Sequence, residues 1–108
     1  MAHDLQKGLA VIQQQLKELD VIFNDAIETL NMAAGTERVA KWRVRTAALL
    51  AASLGEKAGR DFASIEPGPS FTNDLVEEFT DLVDTFRSPL KDLSKQLIQT
   101  GRAPGAGG

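Results

Sequence analysis

The chain has 108 residues, of which 43% are hydrophobic and 25% charged, and its formal net charge is −3. This length allows one domain with a modest core, and the negative charge argues against a dedicated nucleic-acid binder. The sequence has no cysteine, which excludes disulfides, thiolate zinc sites and cysteine nucleophiles and fits a reducing compartment. Because it also has no signal-peptide pattern and no apolar run long enough to span a membrane, we expect a cytoplasmic protein.

Residues 4–33 have the pattern of one long helix. Apolar residues recur at alternating spacings of four and three: Leu5, Leu9, Ile12, Leu16, Leu19, Phe23, Ala26 and Leu30. This heptad stripe predicts a helix that needs partners along its whole length. The stripe fits packing inside one bundle, and it also fits pairing with the same helix of a second copy in a homodimer.

A turn is predicted at residues 31–35, where Gly35 would end the first helix and Thr36 would cap the next. The second helix is expected to run to about Leu54, with an alanine block that lets it approach the first helix closely. Gly55 is the predicted stop, and residues 56–65 should form a shorter third helix or turn.

The last helix is predicted from about residue 73 to 99, after a loop that contains two prolines and a glycine. Thr72 or Asn73 is its expected cap. Pro89 interrupts the helical pattern, but the apolar phase is the same on both sides, which favours one helix kinked at the proline. Residues 101–108 have no apolar side chain larger than alanine, so we expect a disordered tail or linker.

These elements predict one all-α domain over residues 1–100. Its architecture would be a bundle of three to four helices, with a long N-terminal helix and a proline-kinked C-terminal helix.

The second helix carries the densest basic cluster: Arg38, Lys41, Arg43 and Arg45. Positions 38, 41 and 45 are spaced to share one helix face. Residues 36–60 contain six basic and two acidic residues, whereas residues 61–86 contain seven acidic and no basic residues. Three roles are open for the basic face: pairing with the acidic last helix, binding a protein partner, or binding nucleotide or nucleic acid. The lack of interleaved aromatic residues favours protein over nucleic acid.

Acidic residues on the last helix form a second candidate surface. The residues of interest are Glu77, Glu78 and Asp81. They could form a solvated face, a docking surface for a basic partner, or part of a divalent-metal site. Helical di-metal sites use paired Glu-x-x-His motifs, and no histidine lies here, so no metal is expected.

No arrangement of catalytic residues is evident in the sequence. It shows no Ser/His/Asp set, no glycine-rich phosphate loop and no paired acid and base in an apolar setting. Trp42 is in phase with Val39 and Leu49, which indicates a core position, with an interface anchor as the alternative. We therefore expect a chain that is not an enzyme and has no cofactor.

Residues 37–97 resemble a family of small helical accessory domains. The order Trp42-x-x-Arg45, Leu49-Leu50, Leu54-Gly55, Phe62 and then an amphipathic helix from Asp74 is similar to that of domains found beside nucleotide-binding and TIR-like effector modules in bacterial phage-defence proteins. The resemblance implies a role in oligomerisation or regulation, with Trp42 and Arg45 as structural positions and no catalytic residue carried over.

The predicted function is therefore a non-catalytic helical module for protein interaction or oligomerisation, with a regulatory role in bacterial defence. It would bind a protein partner or itself, as in a homodimer, and no membrane. The alternative is a nucleotide- or nucleic-acid-binding module that uses the basic face of the second helix.

Overall fold

Four α-helices make up the computed structural model of the protein, which describes residues 5–69 and 72–101. The helices are α1 (Leu5–Thr29), α2 (Met32–Leu54), α3 (Glu56–Ala63) and α4 (Leu75–Thr100). The described residues contain no strand. This confirms the all-α bundle. Residues 1–4 and 102–108, which include most of the predicted tail, lie outside the described residues.

The three long helices form an elongated bundle with extents of 47 × 23 × 22 Å. Helix α1 is antiparallel to α2, because Gly8 lies against Leu54 and Ala26 lies against Gly35 at the opposite end. It is also antiparallel to α4, since Phe23 stacks on Phe79 with ring centroids 5.9 Å apart, whereas Asp20, earlier on α1, pairs with Arg87, later on α4. Helices α2 and α4 are therefore parallel, and α3 with the following loop returns the chain between them.

The buried stripe of α1 is rotated from the predicted one. The buried positions are Gly8, Ile12, Gln15, Leu19, Ile22 and Ala26. They keep the spacing of four and three, but they include a glycine and a glutamine that a search for apolar residues omits. Leucines 5, 9 and 16 are only half-buried. Leu30 is 75% exposed.

The predicted stop at Gly35 is wrong, and so is the predicted extension of the first helix to residue 33. Helix α1 ends at Thr29, Leu30 adopts a left-handed φ of 55°, and Asn31 caps α2 by accepting a hydrogen bond from the Ala34 N–H at 3.0 Å. Gly35 lies inside α2, where an added Cβ would come within 2.8 Å of both Ala26 and Phe79. The glycine is therefore a packing position and not a turn.

Helix α2 ends at Leu54 as predicted, and Gly55 follows with a φ of 106°. Part of the alanine block packs against α3, a contact that the sequence analysis did not predict. An added Cβ on Gly59 would lie 2.7 Å from the Ala51 Cβ and 2.8 Å from the Ala47 carbonyl oxygen. Ala47 and Ala51 therefore allow α3 to approach α2 closely. Ala58 and Phe62 of α3 face the core, as predicted.

Helix α4 continues through Pro89, which confirms one helix across the proline. Its cap is neither Thr72 nor Asn73. Asp74 is the cap, because its Oδ1 accepts hydrogen bonds from the N–H groups of Val76 at 2.8 Å and Glu77 at 3.2 Å. Gly101 ends the helix with a left-handed φ of 74°.

Candidate functional site

Two of the predicted basic residues pair with α1 and not with the acidic last helix. Arg38 lies 3.0 Å from Asp25, and Arg45 lies 3.1 Å from Glu18. Pairing with α4, one of the three roles left open by the sequence, is therefore not found for Arg38 and Arg45, because this face of α2 is directed toward α1. Both ion pairs are largely exposed, so each adds little to stability.

A shallow cavity of about 300 Å³ lies between α1 and α2 at this basic face, and we call it the basic groove. Its lining residues are Gln14, Lys17, Glu18, Val21, Ile22, Arg38, Lys41 and Arg45. Four of these side chains are cationic and one is anionic. Within the described part of the chain, Lys17 and Lys41 make no ion pair, which leaves their ammonium groups available to an anion.

Arg43 belongs to a different environment from the other predicted basic residues. Its guanidinium donates hydrogen bonds to the backbone carbonyls of Ala63, at 2.9 Å, and Ile65. It also lies 4.9 Å from the ring centroid of Phe86. Arg43 thus fastens the end of α3 to α2 and α4, where a cation stabilises the negative end of the helix dipole. The structure separates it from Arg38, Lys41 and Arg45.

The acidic candidates on α4 also lie in two different environments. Glu77 accepts a hydrogen bond from the Thr72 hydroxyl at 2.8 Å and stabilises the start of the helix. Glu78 and Asp81 border a cavity instead. In residues 5–69 and 72–101, neither of these two carboxylates makes an ion pair. They are the predicted acidic residues that remain available to a ligand.

This cavity, which we call the α4 groove, has a volume of about 810 Å³. It lies between the start of α2, residues 67–69 and the first half of α4. Its lining residues are Met32, Ala33, Thr36, Pro67, Gly68, Pro69, Thr72, Leu75, Glu78, Phe79, Asp81, Leu82 and Thr85. Leu75 is 66% exposed at its edge. The groove thus combines an exposed leucine with two carboxylates that have no cationic partner in the described chain.

The buried polar side chains hydrogen-bond within the bundle. The Thr46 hydroxyl donates to Gln15 Oε1 at 2.8 Å, and the Ser53 hydroxyl donates to the Leu49 carbonyl at 2.7 Å. Every buried side-chain nitrogen or oxygen among the described residues has a hydrogen-bond partner. Nor do these residues contain a cluster of three acidic, histidine or cysteine side chains that could hold a metal ion.

Sequence reasoning missed Gln15 and Thr46 as buried residues, and it missed Val44 as a surface residue. Val44 is 71% exposed on α2. Its position outside the phase of Val39, Trp42 and Leu50 is a signal that could have identified it. The prediction that Trp42 is a core residue is confirmed, because none of its surface is exposed.

None of the helices formed by the described residues has the length and apolarity needed to cross a membrane. Comparisons with protein-family models, curated proteins and solved structures find no match to this chain. The resemblance of residues 37–97 to phage-defence accessory domains therefore stays a prediction.

Proposed function

We propose that this chain is a non-catalytic protein-interaction module that binds a basic amphipathic segment of a protein partner in the α4 groove. One observation carries the proposal. Leu75 is 66% exposed, and beside it Glu78 and Asp81 have no ion-pair partner within the described chain. A helical segment with apolar and basic residues on one face would cover the leucine and neutralise both carboxylates.

The apolar surface and the charges of the groove would make different contributions to this binding. Burial of Leu75, together with the half-buried Leu82, would supply most of the affinity because it removes apolar area from water. Glu78 and Asp81 would select a basic partner and speed its association, since exposed charges contribute more to specificity and rate than to affinity. The position of these groups on a helix keeps the surface rigid.

A non-catalytic role agrees with the use of the buried polar groups. Gln15 and Thr46 hydrogen-bond to each other, and Ser53 bonds to its own helix. General acid–base or nucleophilic catalysis requires polar groups that face a substrate pocket. The polar side chains Gln15, Thr46 and Ser53, inside the bundle, form hydrogen bonds within the bundle instead.

The test uses a fluorescently labelled synthetic helical peptide with lysines and leucines on one face. Its binding to the full chain is followed by fluorescence anisotropy. Replacing Glu78→Gln together with Asp81→Asn should weaken binding by about tenfold, which corresponds to about 1.4 kcal/mol. Leu75→Asp should weaken it as well.

The matched control is Glu28→Gln with Glu56→Gln, which removes the same two charges from exposed positions outside the groove. This control should retain wild-type affinity. Equal losses in both double variants would show that the peptide responds to net charge alone, and the proposed binding site would then be wrong.

The basic groove supports a second candidate function, the binding of nucleotide or nucleic acid. Lys17 and Lys41 have no ion-pair partner in the described chain, and Arg38 and Arg45 stand beside them. Phosphate binding would release counterions, so affinity should fall steeply as salt rises. The probes are ATP and a single-stranded DNA oligonucleotide at low salt. Binding that is absent, or unchanged by Lys17→Glu with Lys41→Glu, would eliminate this function.

The proposal includes a cytoplasmic location and an accessory role in bacterial phage defence. The support for that role is the order of motif residues in the sequence. In the structure Trp42 is buried and Arg45 pairs with Glu18, which suits the structural positions that the resemblance assigns to them. In that role the chain would oligomerise or regulate an effector that lies on another polypeptide or on another segment of the same one.

A further inference from the structure

The outward face of α2 carries an apolar side chain that the bundle does not use. Val44 is 71% exposed, and Ala40 and Ala48 on either side of it are exposed as well. Lys41 lies one turn before Val44 and makes no ion pair within the described residues. We call Lys41, Val44 and Ala48 the α2 patch.

The α2 patch and the α4 groove carry opposite charge, and each combines it with apolar side chains within two helical turns. Lys41, Val44 and Ala48 follow the pattern i, i+3, i+7. Leu75, Glu78 and Leu82 follow the same pattern on α4. Each set covers two helical turns, or about 10 Å, at 1.5 Å per residue. One surface offers a cation and a small apolar ridge, and the other offers carboxylates between two leucines.

We propose that the partner bound in the α4 groove is a second copy of this chain, which docks through its α2 patch. This inference rests on the proposed function of the groove. Val44 of one copy would lie between Leu75 and Leu82 of the next, and the Lys41 ammonium would pair with Glu78 or Asp81. The contact satisfies exposed apolar and charged groups on both surfaces at once.

The contact is heterologous, because the two surfaces occupy different parts of the molecule. Lys41 also borders the basic groove, on the side of α2 that faces α1. Met32 and Thr36, which line the α4 groove, lie on the opposite side of α2. A copy that has used its patch still has a free groove. Association of this kind continues into a ring or an open chain instead of stopping at a symmetric dimer.

The alternative, a symmetric dimer through α1, would give a different mass in solution. The heptad stripe that suggested such a homodimer is only partly buried: Ile12, Leu19 and Ala26 are buried, Leu5, Leu9, Leu16 and Phe23 are half-buried, and Leu30 is exposed. The outward side of α1 presents exposed polar residues such as Gln13, Gln14 and Asn24. Val21 on the same side is 48% exposed. A symmetric contact through α1 would stop at two copies, whereas the contact between patch and groove continues beyond two.

Complementary variants test the proposal. The patch variant carries Lys41→Glu with Val44→Asp, and the groove variant carries Leu75→Asp with Glu78→Lys. Masses are measured by sedimentation equilibrium from about 10 µM to about 1 mM, a range that detects weak association. The mass of the wild-type protein should rise above that of a dimer, and each variant alone should stay monomeric. An equimolar mixture should form a heterodimer, since one intact patch and one intact groove remain.

A monomeric wild-type protein over the whole range would overturn the proposal, as would a mixture with no gain in mass over the separate variants. Circular dichroism of each variant checks folding, and all four positions are exposed. If a variant loses its helicity, the charge exchange Lys41→Glu with Glu78→Lys in one chain replaces it. That exchange should restore association that each single change abolishes, and failure to restore it would contradict the Lys41–Glu78 contact.

The peptide experiment separates this inference from the proposed function. If wild-type protein stays monomeric while the lysine–leucine peptide still binds through Glu78 and Asp81, the partner is not a second copy and the groove remains a protein-binding site. If neither association nor peptide binding depends on these residues, both proposals are wrong.

Discussion

The indole Nε1 of Trp42 donates a hydrogen bond to the backbone carbonyl of Gln15 at 3.0 Å, and this bond joins α2 to α1 inside the core. The same tryptophan ring lies 5.7 Å from Phe62 of α3 and 6.3 Å from Phe86 of α4, measured between centroids. The only tryptophan in the chain therefore contacts all of the other helices. Its side chain is the point at which the four elements meet.

The substitution Trp42→Phe should lower the free energy of unfolding by about 2 kcal/mol, because it removes a buried hydrogen bond and leaves unfilled volume. Urea unfolding followed by circular dichroism measures the loss, since the variant has no tryptophan fluorescence. Val44→Ala is the control and should change stability by less than about 0.5 kcal/mol, since Val44 is exposed. A loss in Trp42→Phe no larger than in this control would contradict a central role for the indole.

The hydrogen bond between Thr46 and Gln15 gives a second prediction. Thr46→Val keeps the shape of the side chain but removes the donor to Gln15 Oε1, which should cost about 1–2 kcal/mol. Replacing both residues, Gln15→Met with Thr46→Val, should cost less than the sum of the two single changes, since no unpaired polar atom remains. Urea unfolding of the four proteins in this cycle measures the coupling. Strict additivity would show that the two side chains do not interact.

Much of the fold could be predicted because local signals and packing agree. The period of apolar residues gave α1 and α4, and the unchanged phase across Pro89 correctly indicated one helix. Gly55 ends α2 with a positive φ, which glycine adopts without a steric penalty. At such positions the residue type alone is informative.

The wrong predictions concern residues whose place in the fold is decided by tertiary contacts. Gly35 has the local signature of a helix stop, but the close approach of Ala26 and Phe79 decides its place inside α2. Gln15 is polar, yet its hydrogen bonds allow it to replace an apolar residue in the buried stripe.

The candidate site was predicted only in part, for the same reason. Helical spacing placed Arg38, Lys41 and Arg45 on one face. It could not show that α1 supplies the acidic partners or that Arg43 reaches the end of α3, because those depend on how the helices pack.

Gly35→Ala provides a third prediction, in which packing opposes intrinsic helix propensity. Alanine is favoured over glycine in a helix by about 1 kcal/mol. At this site, however, the new Cβ would lie 2.7 Å from the Ala26 Cβ and 2.8 Å from the Phe79 ring. We expect a loss of about 1–3 kcal/mol in the free energy of unfolding, as for other overpacked cores.

The matched control is Gly68→Ala, since an added Cβ there has no atom within 4 Å. It should leave stability within about 0.5 kcal/mol of wild type. Thermal unfolding followed by circular dichroism compares the two alanine variants. A stabilised Gly35→Ala protein would show that Phe79 moves aside easily and that the α1–α2–α4 contact is loose.

Pro89→Ala should stabilise the protein. A proline inside a helix has no N–H to donate to the carbonyl four residues earlier, here that of Thr85, and its ring crowds that carbonyl, at a cost of about 3 kcal/mol. Pro89 also lines a cleft of about 350 Å³ with Phe62, Ile65 and Leu93. Loss of its half-buried ring would offset part of the gain, so we expect a net increase of about 1–2 kcal/mol in the free energy of unfolding.

The neighbouring exposed change Ser88→Ala is the control, and urea midpoints at a constant m-value measure the stability of both variants. A Pro89→Ala protein less stable than wild type would show that packing of the ring at the α3–α4 cleft outweighs the backbone penalty.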